Sequence, residues 1–171
     1  MYTFLPELKT EDEHAGTAFR NWLDRSGVAY MYGQQSPLTV PGRQRERFKR
    51  PDYLVGVPHA GMLAFDVKAK SSNDNYFTFE LDEVRKAARF ARVFNLTAYF
   101  ACIDVEQPEC HWWVELSALL TRVPEQHGEG SVVTFGVDEA YEIDLQLSFL
   151  EVVMQYNSYA MNHGLNNGKA A

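Results

Sequence analysis

The sequence has no long apolar run, few cysteines and no excess of positive charge, and each shortage excludes a class of protein. No stretch approaches the ~20 apolar residues that a helix needs to span a bilayer, so we expect no membrane protein. Two cysteines, Cys102 and Cys110, are too few for the disulfide framework of a small secreted protein. The first residues lack the basic and then apolar segments of a signal peptide, so we expect a cytoplasmic protein.

Length and composition favour one globular domain over residues 1–171. Apolar residues make up 46% of the chain and charged residues 23%, close to the averages of globular proteins. Helix and strand patterns alternate through a core at about residues 11–116, which predicts an α/β domain with a central mixed sheet flanked by helices. We expect a first helix at about Asp12–Ser26, a last helix at about 144–162 and a frayed tail over 164–171.

Two short strand patterns, at 50–57 and 63–70, carry charged residues among Tyr, Leu, Val and Phe. Turn residues lie between them, so the two runs are predicted to form a hairpin. Because strand residues alternate between faces, Asp66 and Lys68 project from one side of the second strand. Asp52, near the start of the first strand, then approaches Asp66. Burying such charges is costly unless they pair or hold a metal, so the hairpin predicts a metal site.

Pro51-Asp52 followed by Asp66-Val67-Lys68 resembles the motif of the PD-(D/E)xK nuclease superfamily, the restriction-endonuclease-like nucleases. The helix pattern at 82–94 and the strand pattern at 96–103 give the nearest resemblance, to the archaeal-type Holliday junction resolvases. The likeness covers about residues 11–105. It implies a single domain with a restriction-endonuclease-like fold and a Mg²⁺- or Mn²⁺-dependent deoxyribonuclease, an endo- or exonuclease acting on DNA. It also implies a homodimer, because cutting two strands requires two sites.

The resemblance gives the hairpin residues their expected roles. Asp52, Asp66 and Lys68 are the expected catalytic residues. Asp52, Asp66 and the backbone carbonyl of Val67 would hold the metal, since oxygen donors suit Mg²⁺ and Mn²⁺. Lys68 would orient the attacking water or stabilise the negative charge that develops on the phosphate.

An acidic ligand from the first helix is common in this superfamily. Gly16 stands where the resolvases carry Glu, and Glu13 lies one turn earlier on roughly the same helical face. Glu13 is therefore the candidate metal ligand, with Asp12 as its substitute. The alternative is that both acids only favour the N-terminus of the helix electrostatically. The resolvases often carry Gln where Glu83 stands, so no role follows for that position.

The net charge of −7 disfavours DNA binding, whereas the distribution of charge favours it. Residues 43–92 hold 11 of the 16 Lys and Arg residues but 7 of the 23 Asp and Glu residues. A local positive surface can neutralise phosphates even on an acidic protein. The residues expected to bind nucleic acid are Arg45, Arg47, Lys49, Lys70, Arg85 and Arg89. The alternative is a solvated loop and a solvated helix face.

Two other interpretations stay open. A nuclease-like fold could bind DNA or a protein partner without cutting, which the poor match in the first helix and the acidic C-terminal third favour. Alternatively, Asp66 and Lys68 form only a surface salt bridge on an ordinary α/β domain. A metal-bridging distance between the carboxylates of Asp52 and Asp66 is predicted by the nuclease interpretation alone.

Overall fold

The computed structural model describes residues 6–34 and 42–167, and these residues form four α-helices and nine β-strands. The helices are α1 (Pro6–Ser26), α2 (Leu81–Val93), α3 (Leu116–Leu119) and α4 (Phe149–Asn167). The strands are β1 (Tyr30–Tyr32), β2 (Tyr53–Val57), β3 (Gly61–Ala69), β4 (Tyr76–Glu80), β5 (Thr97–Ile103), β6 (His111–Glu115), β7 (Glu125–His127), β8 (Gly130–Gly136) and β9 (Tyr141–Ile143). Within the described ranges, no helix combines the length and the apolarity that crossing a membrane requires.

The larger sheet has six strands in the order β1-β2-β3-β5-β6-β9. Strands β3 and β5 run parallel, and the other neighbours are antiparallel, so the sheet is mixed. A crossover that contains β4 and α2 joins the parallel pair, as a parallel connection requires. Helices α1 and α4 pack on one face of this sheet, and α2 and α3 pack on the other. The predicted central mixed sheet flanked by helices is confirmed.

The core beneath α1 and α4 is built mainly from aromatic rings. The ring centroids of Phe19 and Phe65 are 5.2 Å apart, and those of Phe65 and Trp113 are 4.9 Å apart. The ring centroid of Phe149, at the start of α4, lies 5.8 Å from that of Trp113. Each such pair contributes about 0.5–1.5 kcal/mol beyond the burial of its area. Within the described residues, helix α1 begins at Pro6, earlier than predicted.

A second core lies on the opposite face, where a three-stranded sheet of order β4-β8-β7 covers α2 and α3. Phe77 and Phe79 are buried on one face of β4 and pack with Val133 and Phe135 of β8. The sequence analysis did not predict this second sheet. Its edge strand, β7, consists of three exposed residues without apolar alternation, so its pairing is visible only in the folded chain.

The last helix begins later and ends later than predicted. Helix α4 starts at Phe149, and Ser148 before it forms a capping box with Glu151. The N–H of Ser148 donates to Oε2 of Glu151 at 2.8 Å, and the N–H of Glu151 donates to Oγ of Ser148 at 3.4 Å. Residues 164–167 of the predicted frayed tail continue the helix, and residues 168–171 lie outside the described ranges.

Candidate active site

The β2–β3 hairpin brings Asp52 close to Asp66 at the end away from its turn. Tyr53 at the start of β2 pairs with Phe65, and Asp52 directly precedes β2. The N–H of Asp52 donates to the carbonyl oxygen of Phe65 at 2.9 Å. The carboxylate of Asp52 accepts a hydrogen bond from the N–H of Val67 at 2.8 Å. Asp52 is thus fixed to β3 beside Asp66, and the metal-bridging distance between the two carboxylates stays a prediction.

Side chains alternate along β3, so Asp66 and Lys68 share one face of the strand. Phe65 and Val67 pack in the core beneath α1, whereas Lys68 contacts Glu83 of α2. Asp66 is only 4% exposed, and this burial raises the pKa of its carboxyl group. The positive charge of Lys49 acts in the opposite direction, and the negative charge of Asp52 raises the pKa further. The ionised form of Asp66 therefore depends on the cations around it.

Four side chains between β3 and α2 form what we call the charged cluster: Lys49, Asp66, Lys68 and Glu83. Nζ of Lys49 lies 2.9 Å from Oδ2 of Asp66, and it also contacts Oε1 of Glu83. Nζ of Lys68 contacts the same oxygen of Glu83. Burial would lower the pKa of Lys49, but the two carboxylates raise it above its ordinary value. Burial would raise the pKa of Glu83, but the two lysines lower it, so Glu83 is ionised at neutral pH.

A cavity of about 470 Å³ opens between this hairpin and α1. Its lining includes Lys49, Asp52 and Lys68. Asp66 borders a separate, much smaller pocket beneath α2, and Lys49 borders both spaces. The side chain of Lys49 therefore both contacts the carboxylate of Asp66 and borders the cavity.

The two acidic candidates of α1 face the same cavity, because both Asp12 and Glu13 line it. Asp12 also accepts a hydrogen bond from the N–H of Ala69 at 2.9 Å, so it ties α1 to the end of β3. The hydroxyl of Tyr53 donates to the carbonyl oxygen of Gly16 at 3.1 Å, which holds α1 against β2. Glu13 remains the predicted ligand from this helix, and Asp12 has a contact that the sequence did not reveal.

One oxygen of the Asp66 carboxylate has the character of a ligand for a divalent cation. Among the residues that the structure describes, Oδ1 of Asp66 is buried and has no hydrogen-bond partner, while the ammonium of Lys49 places a positive charge against Oδ2. A buried carboxylate oxygen without a partner is costly, and a cation removes that cost. Carboxylates with a few waters are the usual ligands of Mg²⁺. In the described part of the chain, no group of three or more His, Cys, Asp or Glu side chains converges in a way that could hold a metal ion.

Most of the predicted nucleic-acid-binding residues are on the surface. Four of them are exposed, two in a 3-10 turn (Gly42–Arg47) and two on α2: Arg45, Arg47, Arg85 and Arg89. Lys70 is engaged elsewhere, because its Nζ donates to the carbonyl oxygen of Thr78 at 2.5 Å and lies 4.7 Å from the ring centroid of Phe79. Lys49 belongs to the charged cluster, so the structure brings it to Asp66 instead of to a solvated basic loop.

Glu83 and the inward position of Lys49 are the parts of the site that the sequence analysis missed. One sequence signal pointed to Glu83: the helix after the Asp-x-Lys strand begins with acidic residues, and a crossover helix packs on that strand. No local signal distinguishes Lys49 from the other cations of its basic run. Its position depends on the packing of α2, whose Lys86 carbonyl accepts the N–H of Lys49 at 3.3 Å.

Comparison with known proteins identifies the fold. No protein-family model and no curated protein matches this chain. The structure of Hjc, a Holliday junction resolvase from the archaeal hyperthermophile Archaeoglobus fulgidus, aligns over 76% of this chain and 94% of that chain, with a TM-score of 0.52 and 19% identity. The structure of D212, a nuclease from a fusselovirus, aligns over 82% of this chain and 90% of that chain, with a TM-score of 0.46 and 7% identity. This chain therefore has the restriction-endonuclease-like fold of the resolvase Hjc.

Proposed function

We propose that this protein is a metal-dependent nuclease that hydrolyses phosphodiester bonds of DNA, with Asp52, Asp66 and Lys68 in its active site. One observation carries the proposal: the carboxylate of Asp52 is bound to the backbone of β3 directly beside Asp66. Lys68 follows on the same strand face as Asp66. The likeness to Hjc supports the proposal because a resolvase has the same fold.

The proposed ligands of Mg²⁺ or Mn²⁺ are Asp52, Asp66, the backbone carbonyl of Val67 and, from α1, Glu13. A bound metal of this kind lowers the pKa of a coordinated water and screens the charge of the phosphate. The buried, unpartnered Oδ1 of Asp66 supports a role for this carboxylate as a ligand. Asp52 and Val67 both line the cavity, where the reacting phosphate would lie.

The protein's own contribution to the chemistry would come chiefly from Lys68. Its ammonium group lines the cavity and is held by Glu83, so it is oriented before substrate arrives. A positive charge fixed in this way stabilises the negative charge that develops on the phosphate without reorganisation. We assign Lys68 electrostatic stabilisation and not proton abstraction, because its ammonium group is held by the carboxylate of Glu83.

The DNA backbone would be held by the exposed cations, of which Arg85 and Arg89 lie four residues apart on one face of α2. Arg45 and Arg47 extend the proposed surface from the 3-10 turn before the hairpin. A homodimer would place two such sites on one duplex. These partners and a cytoplasmic location complete the proposal.

A second candidate function is a nuclease-like fold that binds DNA or a protein partner without cutting. The contact of Lys49 with Asp66 favours it, because an ammonium group already neutralises the carboxylate that a metal would need. The two candidates differ in cleavage, since a binding protein leaves every DNA substrate intact in Mg²⁺ or Mn²⁺.

The experiment compares the wild type with Asp66→Asn on duplex, junction, flap and single-stranded DNA in Mg²⁺ and in Mn²⁺. We expect cleavage of at least one substrate by the wild type and none by Asp66→Asn. Asp74→Asn is the matched control, because Asp74 is exposed and does not line the cavity. Wild-type protein that binds DNA but cuts none of the four substrates would exclude the nuclease and support the second candidate.

A further inference from the structure

Lys49 is the cation nearest to the carboxylate on which the proposed metal site depends. Its Nζ lies 2.9 Å from Oδ2 of Asp66, and its side chain is 26% exposed, whereas that of Asp66 is 4% exposed. A buried carboxylate without a counter-charge would be strongly destabilising. Lys49 thus supplies in the metal-free protein the positive charge that a divalent cation would otherwise supply.

Glu83 is a second carboxylate partner for the ammonium group of Lys49. The ammonium of Lys49 contacts Oε1 of Glu83 as well as Asp66. If Lys49 leaves Asp66, it retains a carboxylate partner and does not become an isolated buried charge. The side chain also borders the cavity, so its movement away from Asp66 would open the carboxylate toward that space.

We propose that Lys49 is a positioning residue that occupies the carboxylate of Asp66 in the metal-free protein and competes with the divalent metal for it. This inference rests on the proposed function. It predicts that the metal binds weakly to the protein alone. It also predicts that DNA favours metal binding, because a phosphate in the cavity attracts the displaced ammonium of Lys49. Binding of DNA and of metal would then be positively coupled, and the coupling would act in both directions.

The test measures Mn²⁺ binding to the full-length protein by calorimetry. Lys49→Met keeps much of the side-chain volume and removes the charge, so we expect Mn²⁺ to bind at least about tenfold more tightly. Lys49→Arg keeps the charge, so its affinity for Mn²⁺ should stay close to that of the wild type. Lys86→Met is the matched control: this lysine pairs with Asp82 on the exposed side of α2, so its loss should leave Mn²⁺ affinity unchanged.

Thermal unfolding gives an independent readout that does not use activity. Lys49→Met should melt below the wild type in chelator, because Asp66 loses its counter-charge, and Mn²⁺ should raise its melting temperature more than that of the wild type. An equal rise in both proteins would overturn the competition. A purely structural role for Lys49 predicts such an equal rise.

A second variant keeps the inference testable if Lys49→Met does not fold. Glu83→Gln removes the alternative carboxylate partner of Lys49, so Lys49 should stay on Asp66 and Mn²⁺ should bind more weakly than to the wild type. Unchanged or tighter binding by Glu83→Gln would contradict the proposal.

Failure of this inference can be told apart from failure of the proposed function. If Asp66→Asn abolishes Mn²⁺ binding while Lys49→Met binds no more tightly than the wild type, the competition is refuted and the metal site stands. If Asp66→Asn has the same affinity for Mn²⁺ as the wild type, the proposed metal site is refuted. The proposed role of Lys49 is then refuted as well.

Discussion

Asp52 makes a contact that allows its structural role to be separated from its proposed metal-binding role. One oxygen of its carboxylate accepts the N–H of Val67 at 2.8 Å, at a point where β3 continues beyond the start of β2. Asn at this position offers a similar carbonyl oxygen to that N–H but no negative charge. Ala offers neither. Asp52→Asn and Asp52→Ala therefore remove the charge equally and differ in the hydrogen bond.

The hydrogen bond sets the expected difference in the free energy of unfolding. Val67 is 4% exposed, so its N–H would be left without an acceptor in Asp52→Ala, which costs about 1–3 kcal/mol. Asp52→Asn keeps the bond in its neutral form, so we expect a loss below about 1 kcal/mol. Both variants should lose Mn²⁺ binding and DNA cleavage, because both lack the carboxylate charge.

Urea unfolding at several Mn²⁺ concentrations measures both effects on the same samples. In chelator, Asp52→Asn should unfold at a higher urea concentration than Asp52→Ala, with the same slope. Added Mn²⁺ should stabilise the wild type and neither variant. Equal unfolding midpoints for the two variants in chelator would refute the importance of the hydrogen bond to Val67. Stabilisation of Asp52→Asn by Mn²⁺ equal to that of the wild type would refute Asp52 as a ligand.

Three further predictions concern single properties of the chain. Lys68→Ala should lower the cleavage rate by about a hundredfold with little change in DNA affinity. Lys70→Ala should change the rate little, because Lys70 is hydrogen-bonded to β4. Single-turnover kinetics measures both rates, and equal effects would contradict the proposed role of Lys68. Replacing Arg85 and Arg89 together by Ala should weaken DNA binding and flatten the dependence of DNA affinity on salt concentration, which titrations at several salt concentrations measure. An unchanged slope of affinity against salt concentration would show that this face of α2 does not bind DNA. Burial of His111, aided by the charge of Arg25, lowers the pKa of its imidazole to about 4. As the pH falls, His111 is protonated in the unfolded chain at a higher pH than in the folded one, so the free energy of unfolding should fall by about 3 kcal/mol between pH ~6.5 and ~4. His111→Phe should remove this part of the pH dependence in urea unfolding.

The hairpin and the crossover helix were predictable because their signals are local. Alternation along 63–70 identifies the strand and the shared face of Asp66 and Lys68, and the apolar spacing after Leu81 identifies α2. The start of α4 also has a local signal, the capping box Ser148-x-x-Glu151. The helix was predicted to begin earlier because Asp144 is also a typical residue at a helix start. That acid instead forms a turn, in which it accepts the N–H of Gln146 at 2.9 Å.

The remainder depends on contacts between distant segments. Strand β7 pairs with β8 through residues that carry no strand pattern of their own. Lys49 differs from its basic neighbours only because the carboxylates of Asp66 and Glu83 lie within its reach in the folded chain. Alternation and spacing identify which face a residue occupies. The one cation of the basic run that enters the charged cluster is determined by packing against residues 17 and 34 positions away in the sequence.

The junction of α1 and α4 lies at the C-terminal end of α1, beyond the residues of this helix that line the cavity. The indole N–H of Trp22 donates to the carbonyl oxygen of Leu147 at 3.0 Å, and the N–H of Phe149 donates to Oγ of Ser26 at 2.9 Å. The same helix presents Asp12 to the end of β3. Helix α1 is thus held at its C-terminal end by residues at and just before the start of α4 and, nearer its N-terminus, by β3. A shortened protein that lacks α4 would lose the contacts at the C-terminal end of α1, and the wall of the cavity would then be held by the contacts of α1 with β2 and β3.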